Sequence, residues 1–307
     1  MAGTLARKYS IGRNPVTIAL SVKINDGVVL ATDSATSVIG QNPSGELGVF
    51  NVYQNANKLF NLRKGLPIGA TTWGAGSIGN ASIETLIKDL RERFSNTTDE
   101  WYLDGDNYSV ATVAERVREF IFDQRYTPEF QSSRQKPALG FLIAGYSQPD
   151  GTMAEEYQID IVNGKCDAPR LVRSAADSGL TWAGEPEALN RIIVGFSPGL
   201  PAVLAKFIPD REALSAAVAA LGENLQVPML FPAMPLQDAI DLAEFLVELS
   251  INFARFKPGA PTVGGPVEIA AISKHEGFRW IRRKYYFEKR FNPEERFTRV
   301  YESAPKP

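Results

Sequence analysis

The sequence predicts an α+β protein, a four-layer αββα sandwich in which two antiparallel sheets stack face to face with helices outside. Three observations lead there. Strand-like runs come as neighbouring hairpins, helical periodicities follow them in pairs, and nowhere does a strand alternate with a helix as a βαβ unit requires. Stacking two sheets buries the apolar faces of both hairpin sets.

In order along the chain, residues 1–15 are basic and polar and read as a leader or flexible arm. Strand-like runs at 16–24 and 27–33 flank Asn25-Asp26-Gly27, a strong hairpin signal. Residues 39–48, rich in glycine with Pro43 and Asn42, read as a loop. A further hairpin is expected from 58–62 and 68–73 around Lys64-Gly65-Leu66-Pro67. The period then changes from two to 3.6: Ile83, Leu86, Ile87, Leu90 and Phe94 mark one helical face, and Val110, Val113, Val117 and Ile121 another. Strands return at 138–146 and 154–162. A helix is expected over 188–194, another around 210–221 among scattered prolines, and a long one over 236–256 with Ala239, Leu242, Ala243, Leu246, Leu249 and Phe253 on one side. A late strand at 266–273 precedes a basic, aromatic tail. The expected organisation is one unit over 16–281, with inserts near 39–52 and 196–232, and a tail over 282–307.

Composition narrows the chemistry. With 307 residues, 44% of them hydrophobic, the chain can bury a sizeable core. A net charge of -2 gives no global pull toward nucleic acid or anionic membrane. The single cysteine, Cys166, excludes an internal disulfide and a cysteine-rich zinc site. The single histidine, His275, would have to serve every imidazole mechanism, yet its polar neighbours and following glycine place it in an exposed turn. An enzyme built on this chain works without histidine, and nothing in the sequence asks for a cofactor or a metal. No apolar run is long enough for a signal or a membrane span, so a cytoplasmic location is the expectation.

One charge stands out. Asp33 ends the apolar run that begins at Val16, and a carboxylate there needs a neutralising partner. The hairpin brings Asp33 within about three residues, on the order of 10 Å, of a point opposite Thr17.

The run TIALSVKINDGVVLATDSATS, then NKLFNL, then ATTWGAG, in that order and spacing, resembles proteasome β-type subunits and their bacterial relatives, which are N-terminal-nucleophile (Ntn) hydrolases. More loosely, GFLIAGYSQPDGTMAEEYQID is similar to the family's central hairpin, QDAIDLAEFLVELSINFA to its last long helix and VGGPVEIAAI to its closing strand. The resemblance implies a nucleophilic threonine at Thr17, freed by loss of residues 1–16. It implies an acidic partner at Asp33, a lysine at Lys58 beside it, and an oxyanion-binding backbone N–H at Gly74. The chemistry implied is peptide-bond hydrolysis through an acyl ester on the threonine, with the freed α-amine, pKa about 7.7 to 8.0, taking the proton that imidazole takes elsewhere. Where the family carries further supporting side chains, this chain has Ala35, Ala183, Ala260 and Val263.

Two readings follow from the resemblance. The first is a threonine-type endopeptidase acting in a homo-oligomeric ring on peptides or unfolded proteins, with an ATP-dependent unfoldase as partner. The second is a catalytically inactive structural subunit of the same scaffold with its leader uncleaved. A third, of another class, rests on RWIRRKYYFEKRF over 279–291, where basic and aromatic residues interleave as on single-strand nucleic-acid platforms, although Glu288, Glu294 and Glu295 dilute the field and Trp280 suits a core or an interface.

Overall fold

The computed structural model describes residues 17–41, 47–134, 136–149 and 151–284. The expected leader over 1–15 and most of the tail, including Tyr286 and Glu288, lie outside the described residues.

In chain order, β1 (Ile18–Ile24) and β2 (Gly27–Thr32) form the first hairpin, with every residue of both strands buried. β3 (Thr36–Gln41) and β4 (Leu47–Tyr53) form a second, and β5 (Leu59–Asn61) and β6 (Ile68–Gly74) a third. The short β7 (Ser77–Ile78) and β8 (Ala81–Ser82) lead into α1 (Ile83–Ser95), which Ser82 caps by accepting from the Thr85 amide. α2 (Val110–Arg118) runs on through a π-helical stretch, Glu119–Tyr126, into α3 (Thr127–Phe130). β9 (Leu139–Gly145) and β10 (Glu155–Val162) pair, and β11 (Lys165–Cys166), β12 (Arg170–Arg173) and β13 (Gly179–Gly184) follow. Next come α4 (Glu187–Leu189) with a π-helical turn at Asn190–Val194, then α5 (Leu200–Leu204), α6 (Arg211–Leu225) and α7 (Leu236–Phe256). β14 (Glu268–Ser273) and β15 (Gly277–Arg282) close the chain, with His275 exposed in the turn between them.

The main strands assemble into two antiparallel sheets, so the fold is mixed α and β with antiparallel pairing. A five-stranded sheet has the order β13-β1-β2-β14-β15, and a six-stranded one has the order β11-β10-β9-β6-β5 with β12 also on β10. The apolar residues gather in three clusters. One joins α1, α2 and the π-helical stretch to β5, β6, β9 and β10, and contains all five expected residues of the α1 face. A second joins α7 and the 187–194 helix to β1, β2 and β14. In the third, Val28, Leu30 and Ile272 of one sheet meet Leu59, Leu142 and Ala144 of the other.

Three expectations change. The stretch expected as a loop over 39–48 is strand at both of its described ends: Ile39 pairs with Val49, Gly40 with Gly48 and Gln41 with Leu47. Glycine and proline signals there hide the β-branched Thr36, Val38, Ile39, Val49 and Val52 that favour a strand pair. Secondly, β11, β12, β13 and β15 have no counterpart in the periodicity reading, because they are short or only partly buried and so show no clean alternation. Finally, α7 spans the expected residues and buries Ala239, Ala243 and Leu246 of the expected side, but the buried stripe is shifted to take in Ile240, Val247, Ser250 and Ala254, while Leu242, Leu249 and Phe253 flank it half-buried. Small residues at the contact let the helix axis approach the β1–β2 hairpin closely.

Candidate active site

Three of the four residues singled out in the sequence meet at one end of the five-stranded sheet. Lys58 Nζ donates to Thr17 Oγ1 at 2.7 Å and to Asp33 Oδ1 at 2.8 Å. The first hairpin explains why. Its register pairs Ile24 with Gly27 and Ala19 with Thr32, so continuing it sets Asp33 against Ile18, one residue from Thr17 and closer than the expected three. Lys58 arrives from the other sheet, at the threshold of β5, where its carbonyl accepts from the Thr72 amide at 2.9 Å.

Asp33 is surrounded by donors. Besides Lys58, Oδ1 accepts from the Ile18 amide at 3.0 Å, and Oδ2 accepts from the amides of Ala35 at 3.1 Å and Gly264 at 3.0 Å. Three backbone N–H groups and one ammonium saturate the oxygens, which is the arrangement a buried carboxylate requires.

Thr17 itself is clamped on both sides. Its carbonyl accepts from the Glu185 amide at 2.8 Å, and the next amide is the one held by Asp33. Gly184, opposite Ile18, takes φ +95°, and a Cβ there would collide with the Thr17 carbonyl oxygen. Thr17 has φ +129°, a region that a β-branched residue avoids. Holding it there costs about 1–3 kcal/mol, repaid by surrounding contacts.

Burial pushes the Lys58 ammonium below its ordinary value, Asp33 opposes that shift, and the nearby Lys284 adds to it. Thr17, Lys58 and Asp33 are 1%, 5% and 0% exposed, so the site as described is closed to a peptide.

Gly74 stands apart from these contacts. It ends β6 two residues beyond Thr72, on the strand that holds Lys58, and takes φ +93° with Ala138 so close that no side chain would fit. Among the described residues it shares no hydrogen bond with Thr17, Asp33 or Lys58.

No family model matches the chain, and no curated protein matches it. A solved structure does. The chain is similar to the Anbu (Gly-1) mutant from Hyphomicrobium sp. strain MC1, at 16% identity and a TM-score of 0.47, with 90% of each chain covered.

Val263 is buried in the apolar cluster under α7, and its neighbour Gly264 supplies an amide to Asp33. Ala183 sits in β13 opposite Ala19. Two residues that the sequence reading missed adjoin the site. Lys284 Nζ donates to Ser34 Oγ at 2.5 Å and to the Ala56 carbonyl at 2.6 Å, and forms a 3.1 Å ion pair with Glu268. That last contact is a charge pairing rather than an aligned hydrogen bond. Lys284 lies in the run of interleaved basic and aromatic residues over 279–291, where no pattern marks it out, and only the fold carries it inward.

Proposed function

We propose that this chain is a proteasome-like Ntn hydrolase with the four-layer αββα arrangement, a threonine-type peptidase whose nucleophile is Thr17. The observation that carries the reading is the position of Lys58 Nζ, within hydrogen-bond distance of both Thr17 Oγ1 and Asp33 Oδ1 in a buried site. A hydroxyl within hydrogen-bond reach of a lysine has a proton-transfer partner at hand, and a carboxylate fixes the orientation of that lysine. The three apolar clusters, helix on sheet, sheet on sheet and sheet on helix, support the layered arrangement.

Residues 1–16 must leave before a peptide can reach Thr17. Attack of Oγ1 on the carbonyl carbon of Val16 forms an ester and breaks the Val16–Thr17 amide, with the hydroxyl proton passing to the departing amine through Lys58. Water then hydrolyses the ester and frees the leader. An N-terminal Thr17 has no φ, so cleavage releases the strain at +129°. In turnover the same oxygen attacks a substrate carbonyl. The ester forms as the C–N bond breaks, the proton goes by way of Lys58 and the new α-amine to the leaving amine, and water completes hydrolysis. The Gly74 amide, at the open end of β6, is the proposed donor to the developing oxyanion. The working assembly is a homo-oligomeric ring acting on peptides or unfolded proteins, fed by an ATP-dependent unfoldase, in the cytoplasm.

The competing reading is an inactive structural subunit with its leader retained, which the burial of an internal Thr17 favours. Intact-mass spectrometry of the full chain, before and after treatment with a peptide epoxyketone, separates the two. The peptidase predicts loss of the mass of residues 1–16 and one adduct on Thr17. Thr17→Ala removes processing, adduct and turnover, and Lys58→Met lowers peptide turnover by about 10²–10⁴-fold. A full-length chain that takes no adduct, with assembly unaffected by Thr17→Ala, rejects the peptidase and leaves the scaffold.

A further inference from the structure

The end of β15 delivers a second buried lysine to the same region. The Lys284 side chain is 6% exposed, and its partners come from three separate segments. Ser34 follows Asp33 directly, and its own hydroxyl donates to the Pro266 carbonyl at 2.5 Å. Ala56 precedes Lys58 by two residues, and its amide donates to the Ser34 carbonyl at 2.9 Å. Glu268, 1% exposed, opens β14 opposite Thr32. One ammonium therefore ties together the corner that bears Asp33, the approach to Lys58 and the strand beside them.

We propose that Lys284 is a positioning residue of the Thr17 site, locking the Asp33–Ser34 corner against the Ala56–Lys58 segment and setting a second positive charge behind Lys58. The inference rests on the reading of Thr17 as nucleophile for its catalytic consequence, whereas its geometric core does not. Asp33, Glu268, Lys58 and Lys284 form a buried group of two anions and two cations, with Glu84 of α1 adding a weaker negative field. Within it, Lys284 works against protonation of Lys58, while Asp33 and Glu268 work for it. Losing Lys284 removes a repulsion that favours release of a proton from Lys58, and also frees the corner that aligns it.

The test follows Lys58 itself. In the full chain carrying 13Cε-labelled lysine, the Lys58 resonance is assigned by its loss in Lys58→Arg, and its titration is compared among variants. Lys284→Met is expected to move the Lys58 midpoint upward, and Lys284→Arg, which keeps the charge, to restore it toward the wild-type value. Where Lys284→Met does not fold, Glu268→Gln gives the opposite prediction, a downward shift. An unmoved Lys58 midpoint in a folded Lys284→Met or Glu268→Gln protein overturns the proposal. In a processed, active protein, Lys284→Met lowers kcat on the order of 10²-fold with little change in KM, and its pH–rate profile moves with the Lys58 midpoint. A wild-type chain that takes no epoxyketone defeats the peptidase reading alone, since the NMR shift is read without turnover. An active Lys284→Met enzyme with wild-type kcat and pH profile defeats this inference alone.

Discussion

Gly184 shows how much of the site depends on backbone rather than side chains. Its φ of +95° and the nearness of the Thr17 carbonyl oxygen leave room for hydrogen only. Gly184→Ala would add backbone strain of about 1–3 kcal/mol and would push β13 off β1 at the residue where Glu185 holds Thr17. The expected outcome is a lower midpoint in urea denaturation and, on the proposed reading of Thr17 as nucleophile, slower loss of residues 1–16 than in wild type. Unchanged stability and processing would show that the close approach is not required. The same logic separates what could be read at the residue level from what could not. Thr17, Asp33 and Lys58 stand in recognisable motifs, and the hairpin alone brings the first two together. The amides of Ile18, Ala35 and Gly264 that saturate Asp33 have no residue signature, because every residue except proline carries one. Gly74 was singled out only for an oxyanion role, which needs a substrate to display it, and its φ of +93° gives the position a backbone reason that the sequence did not show.

At the scale of elements, a buried polar bolt joins the two sheets. Glu156 of β10 accepts from Ser21 of β1 and, at 3.1 Å, from Thr181 of β13, with Arg173 of β12 at 3.7 Å. Close by, Lys23 donates to the carbonyls of Ser174, Ala175 and Asp177, so that the chain between β12 and β13 is held to β1. Burial pushes the Glu156 carboxyl above its ordinary 4.5, against the lowering by Ser21, Arg173, Thr181 and Lys23. Below pH 4.5 the group is protonated folded or unfolded, and its contribution to stability is fully present. Between 4.5 and the raised folded value, only the folded chain holds the proton. Stability is therefore lost as pH rises through that folded value. Glu156→Gln keeps the shape without the titration, so its thermal midpoint should fall less than that of wild type as pH rises from about 4.5 toward neutrality. Parallel curves for the two proteins would refute the shift. These connections also explain which strands escaped the sequence. The first hairpin, β9 and α1 are apolar enough to show their period, whereas β12 and β13 are joined to the rest by polar groups and carry no such pattern.

Across the whole molecule, burial is uneven, and the two long C-terminal helices mark the extremes. α7 sets seven buried residues against the β1–β2 hairpin, and its limits could be read from periodicity because an apolar stripe of that length has few alternatives. α6 has an Asp210 cap, accepting from the Ala213 amide at 2.7 Å, and an alanine-rich sequence, yet Gly222 is its one buried residue. A helix of 15 residues is marginal in water without a packed face. Its boundary was correspondingly harder to place, ending at Leu225 rather than near 221, since propensity and not a core contact decides it. Local opening should therefore free α6 without disturbing the sheets, whereas opening α7 uncovers the cluster beneath the first hairpin and approaches global unfolding. Hydrogen exchange read by mass spectrometry is expected to find α7 amides protected at least about 10²-fold more than those of α6. Similar protection in dilute, monomeric protein would contradict this account. Similar protection appearing only as concentration rises would instead mean that a second copy of the chain covers the half-exposed stripe of Leu214, Ala217, Val218 and Leu221. The exchange experiment thus reads local stability at low concentration and self-association at high concentration from the same helix.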